Sequence, residues 1–485
     1  MPDVPAVPDE VAALRAANAR LRQVVEAKDT EMGLLRQQVE ALAAQVAELR
    51  ARLGQNPRNS SRPPSAEGLG KPAPKSLRSK TGRKPGRPKG QPGATLQMTD
   101  DPDEVVSHEP GCCSGCGNGM SGAPVTGTER RQVTDLPEVI RALVTEHRIV
   151  SRRCACGTVT SGAAPQGVTA PVQYGPRLSA AAVYLWHGQF LSRGRTCEAV
   201  SELFGVPVSA GAVAGMVSRV AGKLGGTLEA IRAALAVAGV AHADETGFRV
   251  AGKLAWVHSA SAGKYVLVTV HPRRGKEGMD AAGVLPAFTG IACHDAWKPY
   301  DSYDGVAGHA LCGAHLLREL IAVTETGTAD DVIWAQQAID ALLELKEAVG
   351  AVRDAGRGVI DPEILEKHCR WFREAADAGI VLNAARRSKL QNKRNALATR
   401  MRDRADDYLR FARDLQVPFD NNRAEQDIRM SKLRIKVSGC MRSMAGAEVF
   451  CAIRSYVATA ARHGIGALDA LTRAAQGDPW IPEPA

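Results

Sequence analysis

The chain has 485 residues, 44% hydrophobic and 24% charged, the balance of a soluble globular protein with a large core. At ~100–200 residues per domain, that length predicts roughly three to five units. The 62 Lys and Arg against 52 Asp and Glu leave a formal charge of +10, modest for the length, so the clustering of cations says more than their total. The opening MPDVPAVPDEVAALRAANARL lacks the basic leader and apolar core of a secretory signal. Apolar runs such as LSAAAVYLW are too short to cross a bilayer, which predicts a reducing, intracellular compartment. There, the cysteines are better read as metal ligands than as a disulfide framework.

Residues 9–53 carry a heptad. Val11, Asn18, Val25, Met32, Val39, Val46 and Leu53 occupy one seam position, and Leu14, Leu21, Leu35, Leu42 and Leu49 its partner. This narrow stripe predicts a coiled coil and a homodimer or higher oligomer, with Asn18 favouring a parallel pair and Lys28 weakening the middle. The competing reading is one amphipathic helix packed on the body of the protein. Residues 54–99 are rich in Pro, Gly and Ser and predict a flexible linker. Its cations include Lys80, Arg83, Lys84, Arg87 and Lys89, opposed by a lone Glu67. Such a tract neutralises DNA phosphates with little sequence preference, and Gly86-Arg87-Pro88 resembles a minor-groove hook; the bland alternative is a solvated spacer.

In residues 100–165, Cys113 and Cys116 form a C-x-x-C, and Cys154 and Cys156 a C-x-C followed by Gly157. Four thiolates from two turns suit a structural zinc ion, although the second pair is one residue short of the common spacing and Cys112 is an alternative to Cys113. Residues 175–236 read as helical. Within them, GRTCEAVSELFGVPVSAGAVAGMVSRV predicts helix, turn at Gly205 and a second helix capped near Ser209, a helix-turn-helix-like unit for DNA or a plain helical hairpin.

From residue 238 the period shifts toward strands. VAHADET reads as a short strand ending on its acidic residues, and LAWVHSAS and KYVLVTV as an antiparallel pair joined around Gly263. A short helix from Lys276 to Leu285, a strand GIACHDAW ending at His294-Asp295 and a strand HALC ending at Cys312 follow. This order is the layout of an α/β, ribonuclease H-like nuclease core, whose strand-end carboxylates converge on one crevice. Residues 330–417 read as helical, and Asp420 to Asn422 as N-cap residues of a helix carrying Glu425, Ile428, Arg429 and Lys432 along one side. Asp244, Asp295 and Glu425 then form an oxygen cage for Mg²⁺ or Mn²⁺ suited to phosphodiester chemistry. Each carboxylate also has a structural reading: Asp244 capping a turn before Gly247, Asp295 pairing with Lys298, and Glu425 in a capping box with Asn422.

The blocks DET at Asp244, HDAWKPY, CGAH from Cys312 to His315 and DNNRAEQDIR from Asp420 to Arg429 resemble the insertion sequence 66 family of bacterial transposases. The linker NSSRPPS, the cysteine module, the N-terminal heptads and the tail KVSGCMRSMAGAEVFCAIRSYVATAARHG are similar to that family too. The resemblance implies a DDE transposase that cuts DNA and transfers strands. Its ribonuclease H-like catalytic domain would span residues 237–440, with a helical insertion at about 323–417 before the glutamate and a C-terminal helical region at 441–485. It places Asp244, Asp295 and Glu425 at the catalytic positions, with Cys312, His315 and Arg429 as auxiliary residues. His315 either contacts DNA, orients a carboxylate or simply packs; Glu245 matches the family block without an assigned role. DNA is the implied partner, small accessory proteins are possible ones, and the bacterial cytoplasm and nucleoid the implied location. The readings from other classes are a DNA-binding regulator built from the first half of the chain, an inactive transposase relative, and a repair or resolving nuclease.

Overall fold

The computed structural model describes residues 7–56, 59–60, 98–135, 140 and 142–483, with backbone alone for 7–11. The expected DNA-contacting cations Lys80, Arg83, Lys84, Arg87 and Lys89 lie outside the described residues. The first element, α1 (Val7–Leu53), runs 47 residues without a break. Ala, Leu, Arg, Gln and Glu dominate it, all strong helix formers. Lys28, which interrupts the second apolar column, pairs with Glu31 at 2.6 Å. The described residues leave the stripe itself uncovered: Leu21 is 61% and Leu42 59% exposed. The reading of this helix as packed on the body along its length is therefore not met. Its polar contacts with the body among the described residues are near its end, where Glu48 meets Lys389 at 3.3 Å; just beyond the helix, the buried Asn59 bonds Glu325.

The cysteine module contributes one small hairpin, β1 (Ser151–Arg153) and β2 (Val159–Ser161). Helices α2 (Pro176–Val183), α3 (Arg193–Phe204), α4 (Ala210–Ala221) and α5 (Gly225–Ala236) follow. As the sequence predicts, α3 ends on Gly205 in the left-handed region and the Ser209 side chain caps α4. The buried face of α4 is Val213, Met216, Val217 and Val220, recurring at helical spacing.

Seven segments then build the α/β core: β3 (Val240–Val250), β4 (Lys253–Ala262), β5 (Tyr265–His271), α6 (Lys276–Ala282), β6 (Ile291–His294), β7 (Gly308–Leu311) and α7 (Gly313–Thr326). The sheet order is β5-β4-β3-β6-β7, antiparallel through β3, β4 and β5 and parallel from β3 through β6 to β7. Alternation sorts the side chains. Ala241 and Ala243 pack with Ile231, Leu235, Met279 and Leu285 on the face covered by α5 and α6. Phe248 and Val250 pack with Phe450 and Met441 on the other.

The helical block is α8 (Ala329–Asp354), α9 (Pro362–Leu382), α10 (Lys389–Asp403) and α11 (Ala405–Arg413). It shares with α7 one large core around Trp334, Leu342, Phe372 and Leu409. Helicity begins at Gly313, earlier than the expected insertion boundary, because α7 leaves β7 directly after Cys312. The chain returns to the sheet through Phe419 into α12 (Asn422–Ser438) and ends in α13 (Met444–Arg462) and α14 (Ala467–Gln476). Among the described residues, no helix is long and apolar enough to cross a membrane.

One strand differs from its sequence reading. VAHADET is not a short strand ending on acids: β3 continues to Val250 because β4 pairs with it residue by residue as far as Val250–Lys253. What ends near Asp244 is the parallel neighbour β6, whose last pair with β3 is His242–Cys293.

Candidate active site

Continuing the register that pairs Val240 with Ile291 and His242 with Cys293 by two residues sets Asp244 beside Asp295. Register partners on parallel strands share a sheet face, so this continued register would put both carboxylates on one face of the sheet. The bond from His242, two residues before Asp244, to the N-terminus of α12 identifies that face: Nδ1 lies 2.8 Å from Asn421 Oδ1. Asn421 Nδ2 also donates to the Ala243 carbonyl at 2.8 Å, and its backbone N–H reaches Cys312 Sγ at 3.2 Å. Asn421 is 1% exposed. It is the N-cap by position, but its side chain is spent on β3 rather than on the helix, which fixes the first turn of α12 over the strand end.

Glu425 follows in that first turn. Its partners are His315 Nε2 at 3.5 Å and Arg318 Nη2 at 3.4 Å, both on α7, so the capping-box reading is not met. The CGAH block is the start of α7. Cys312 is its buried N-cap, and a Cβ on Gly313 would stand 2.5 Å from the Phe419 ring, which excludes any larger residue there. Burial, aided by Arg318, pushes His315 down to about 4, so at neutral pH it meets Glu425 as a neutral ring. Burial pushes the Cys312 thiol up to about 12. Arg429 and Lys432 are exposed on the outer side of α12, whereas Ile428 is buried, so the expected single side is split.

The electrostatics converge on Asp244. Its carboxyl is pushed up to about 7, first by burial and then by the charges of Glu245, Asp295 and Glu425. A hard cation among these oxygens would relieve that crowding, and an all-oxygen donor set suits Mg²⁺ or Mn²⁺. Among the described residues, however, no three His, Cys, Asp or Glu side chains stand close enough to hold a metal ion. Each carboxylate has a local donor instead: Asp244 Oδ1 accepts from the Glu245 N–H at 2.9 Å and Asp295 Oδ1 from the Trp297 N–H at 3.0 Å, while Glu425 turns to Arg318. Asp244 lies within β3 and caps no turn before Gly247, and Asp295 bonds the Trp297 N–H in place of an ion pair with Lys298.

Glu245 points to the opposite sheet face. There it takes two bonds from Arg274, at 2.7 and 3.0 Å, and one from the Tyr300 hydroxyl at 2.6 Å. The Arg274 guanidinium lies 3.9 Å from the Trp297 ring centre, and Trp297 belongs to the turn that holds Asp295. Glu245 thus braces the Asp295 loop from behind. Sequence reasoning took Asn421 as a cap and not as a link to β3, and missed Arg318 and this brace. Arg318 alone left a signal, three residues after His315 on one helix face.

In the cysteine module, Cys113 and Cys154 begin two similar turns. The Gly117 N–H bonds the Cys113 carbonyl and the Gly157 N–H the Cys154 carbonyl, both at 2.9 Å, with the glycines at φ 77° and 89°. Hydrogen bonding with Thr158 and then Cys154 pulls the Cys156 thiol down to about 7, and Cys113 is lowered by Gly115 and Cys116. The structure brings each pair together but does not join the pairs into one four-sulfur cluster.

The structure shows a five-stranded mixed sheet whose parallel pair β3–β6 ends near Asp244 and Asp295, with the first turn of α12, which carries Glu425, tied to β3 through Asn421. Residues 171–449, more than half of the chain, match the Transposase IS66 family, and the chain belongs to that family. Residues 2–97 match a family of unknown function (DUF6444). No curated protein matches.

Proposed function

We propose that the chain is a DDE transposase whose Asp244, Asp295 and Glu425 support metal-dependent cleavage of DNA and its joining to a target. The observation that supports this reading is the parallel register of β3 on β6, which, continued two residues past its last pair His242–Cys293, would bring Asp244 beside Asp295, with the first turn of α12, which carries Glu425, tied to β3 by Asn421. The strand order, a three-stranded antiparallel meander joined to two parallel strands, supports a ribonuclease H-like core. Asp244, Asp295 and Glu425 would hold Mg²⁺ or Mn²⁺, which bound there would favour the attacking oxygen and stabilise the leaving oxygen of a phosphodiester. The chain's own residues do the rest. Asn421 fixes the helix that carries Glu425, Glu245 braces the turn that carries Asp295, and neutral His315 with Arg318 orients Glu425.

The remaining parts serve DNA and assembly. The uncovered stripe of α1 forms a homodimeric coiled coil, and the tract with Lys80, Arg83, Lys84, Arg87 and Lys89 neutralises phosphates. The α3–α4 hairpin presents a second helix capped for insertion into a groove. Cys113, Cys116, Cys154 and Cys156 would hold a structural zinc ion only if their two turns, which stand apart in this structure, came together; the lowered Cys113 and Cys156 thiols are what supports that reading. The protein works in the bacterial cytoplasm on nucleoid DNA.

The deciding experiment incubates purified protein with Mg²⁺ and labelled duplexes carrying the DNA ends that flank its gene. New 3′ ends and joined products from the wild type, absent with Asp244→Asn, Asp295→Asn and Glu425→Gln although all three still bind, are the expected result. Cutting without joining would indicate a repair or resolving nuclease. Specific binding by the wild type with neither reaction would indicate a regulator or an inactive relative.

A further inference from the structure

Helix α10 and the turn before it, from Arg386 to Arg404, hold the cations Arg386, Arg387, Lys389, Lys393, Arg394, Arg400, Arg402 and Arg404 against Asp403 alone. The structure divides them by end. Arg394 pairs with buried Asp331 at 2.8 Å, Arg400 with Glu319, Arg402 with Asp403 at 2.8 Å, and Arg404 with Asp407 and Asp301. The other four are exposed at the N-terminal end. Among the described residues, Arg387 and Lys393 have no carboxylate partner, and Arg386 bonds only the Asn395 amide oxygen. Lys389 meets Glu48 of α1 but keeps 73% of its side chain exposed. Ion pairing that is complete on one half and reduced on the other to the single exposed Lys389–Glu48 contact is not the mixed pattern of an ordinary solvated helix face.

The position of this end matters as much as its charge. Helix α10 runs back along α7: Arg400 reaches Glu319, and Arg394 reaches the Thr326 carbonyl at the end of α7. Arg318, beside Glu425, lies eight residues before Thr326 on the same helix, about 12 Å along its axis at ~1.5 Å per residue. One DNA strand passes ~12 Å in roughly three to four phosphates.

We infer that the N-terminal end of α10, through Arg386, Arg387, Lys389 and Lys393, is a docking surface for the phosphate backbone of DNA flanking the cleavage point. The surface rests on the transposase reading of the carboxylate site, and it gives the helical block a task. The block carries a second cationic contact out from the scissile phosphate, so that the duplex lies along α7.

The test measures DNA affinity against salt in full-length protein carrying Glu425→Gln, using a duplex long enough to pass α10. Each phosphate contact adds about 0.9 to the slope of log affinity against log salt. Arg387→Gln with Lys389→Gln and Lys393→Gln is therefore expected to flatten the slope by about two to three. The charge-retaining set Arg387→Lys, Lys389→Arg and Lys393→Arg should keep the slope. An unchanged slope in the neutralised set overturns the surface and leaves the catalytic reading standing. Equal flattening by the charge-retaining set also overturns it, because packing and not charge would then be responsible. Failure of the Glu425→Gln background to bind any duplex would strike the transposase reading itself.

Discussion

Asn421 is a residue whose work is out of proportion to its size. Its amide satisfies His242 and the Ala243 carbonyl, both in the strand that carries Asp244. Truncating it leaves buried polar groups unpaired at about 1–3 kcal/mol each, so Asn421→Ala should lower stability by roughly 2–4 kcal/mol in urea unfolding. It should also slow cleavage, because Glu425 loses its seat, while DNA affinity is retained. His187 makes a different kind of prediction. It is 3% exposed, packs on Phe450 and Trp186, and neither ring nitrogen has a hydrogen-bond partner among the described residues. Burial, then Arg434 and Arg454, pushes it from 6.5 down to about 3. The folded state refuses a proton that the unfolded chain accepts below pH 6.5. Stability from this group is therefore full above about 6.5 and is lost as pH falls toward about 3. By about pH 4.5 the loss should reach roughly 2–3 kcal/mol, and His187→Phe should remove that part of the pH dependence of thermal unfolding. Neither role can be read from the residue alone. Asn421 reads as an ordinary cap until the strand beneath it is known, and Asp244 and Glu245 read as equals until alternation sends them to opposite faces.

At the scale of elements, the legible parts are those with a local cause. Gly263 and Lys264 close the β4–β5 hairpin, Gly205 and Ser209 bracket the α3–α4 turn, and Pro418 precedes the return into α12. The length of β3 was missed although Phe248 and Val250 alternate with exposed Gly247 and Arg249: Gly247 read as a turn, and the pairing with β4 is what carries the strand on to Val250. The alignment of Asp244 with Asp295 is equally non-local, a matter of parallel register across some fifty residues of chain. The cysteine module lies between these cases. Its turns follow from C-x-x-C-G and C-x-C-G, but nothing local says whether the two turns meet. If they share one ion, purified protein should release about one zinc per chain on thiol modification. Cys116→Ser and Cys156→Ser should each abolish that release and unfold the β1–β2 hairpin. Stoichiometric retention of zinc by both variants would show that the pairs do not act together.

For the whole molecule, the question is how the one carboxylate site proposed for each chain would serve the proposed joining of DNA ends. Helix α1 has 47 residues, an uncovered apolar stripe, and contacts with the body near its C-terminal end through Glu48 and, just beyond it, Asn59. A stripe of that length exposed to water is costly unless a second copy covers it. The body, by contrast, keeps its own cores around Trp334, Phe450 and Ile231 without any help from α1. Removing residues 1–53 should therefore leave the thermal unfolding of the body nearly unchanged while converting the protein from dimer to monomer in sedimentation. Nicking of single labelled ends should survive, since Asp244, Asp295 and Glu425 all remain. Concerted joining of two ends should be lost, because pairing them requires two bodies held together. If the truncated protein still joins paired ends as efficiently as the full chain, assembly rests on another surface and α1 serves some other purpose.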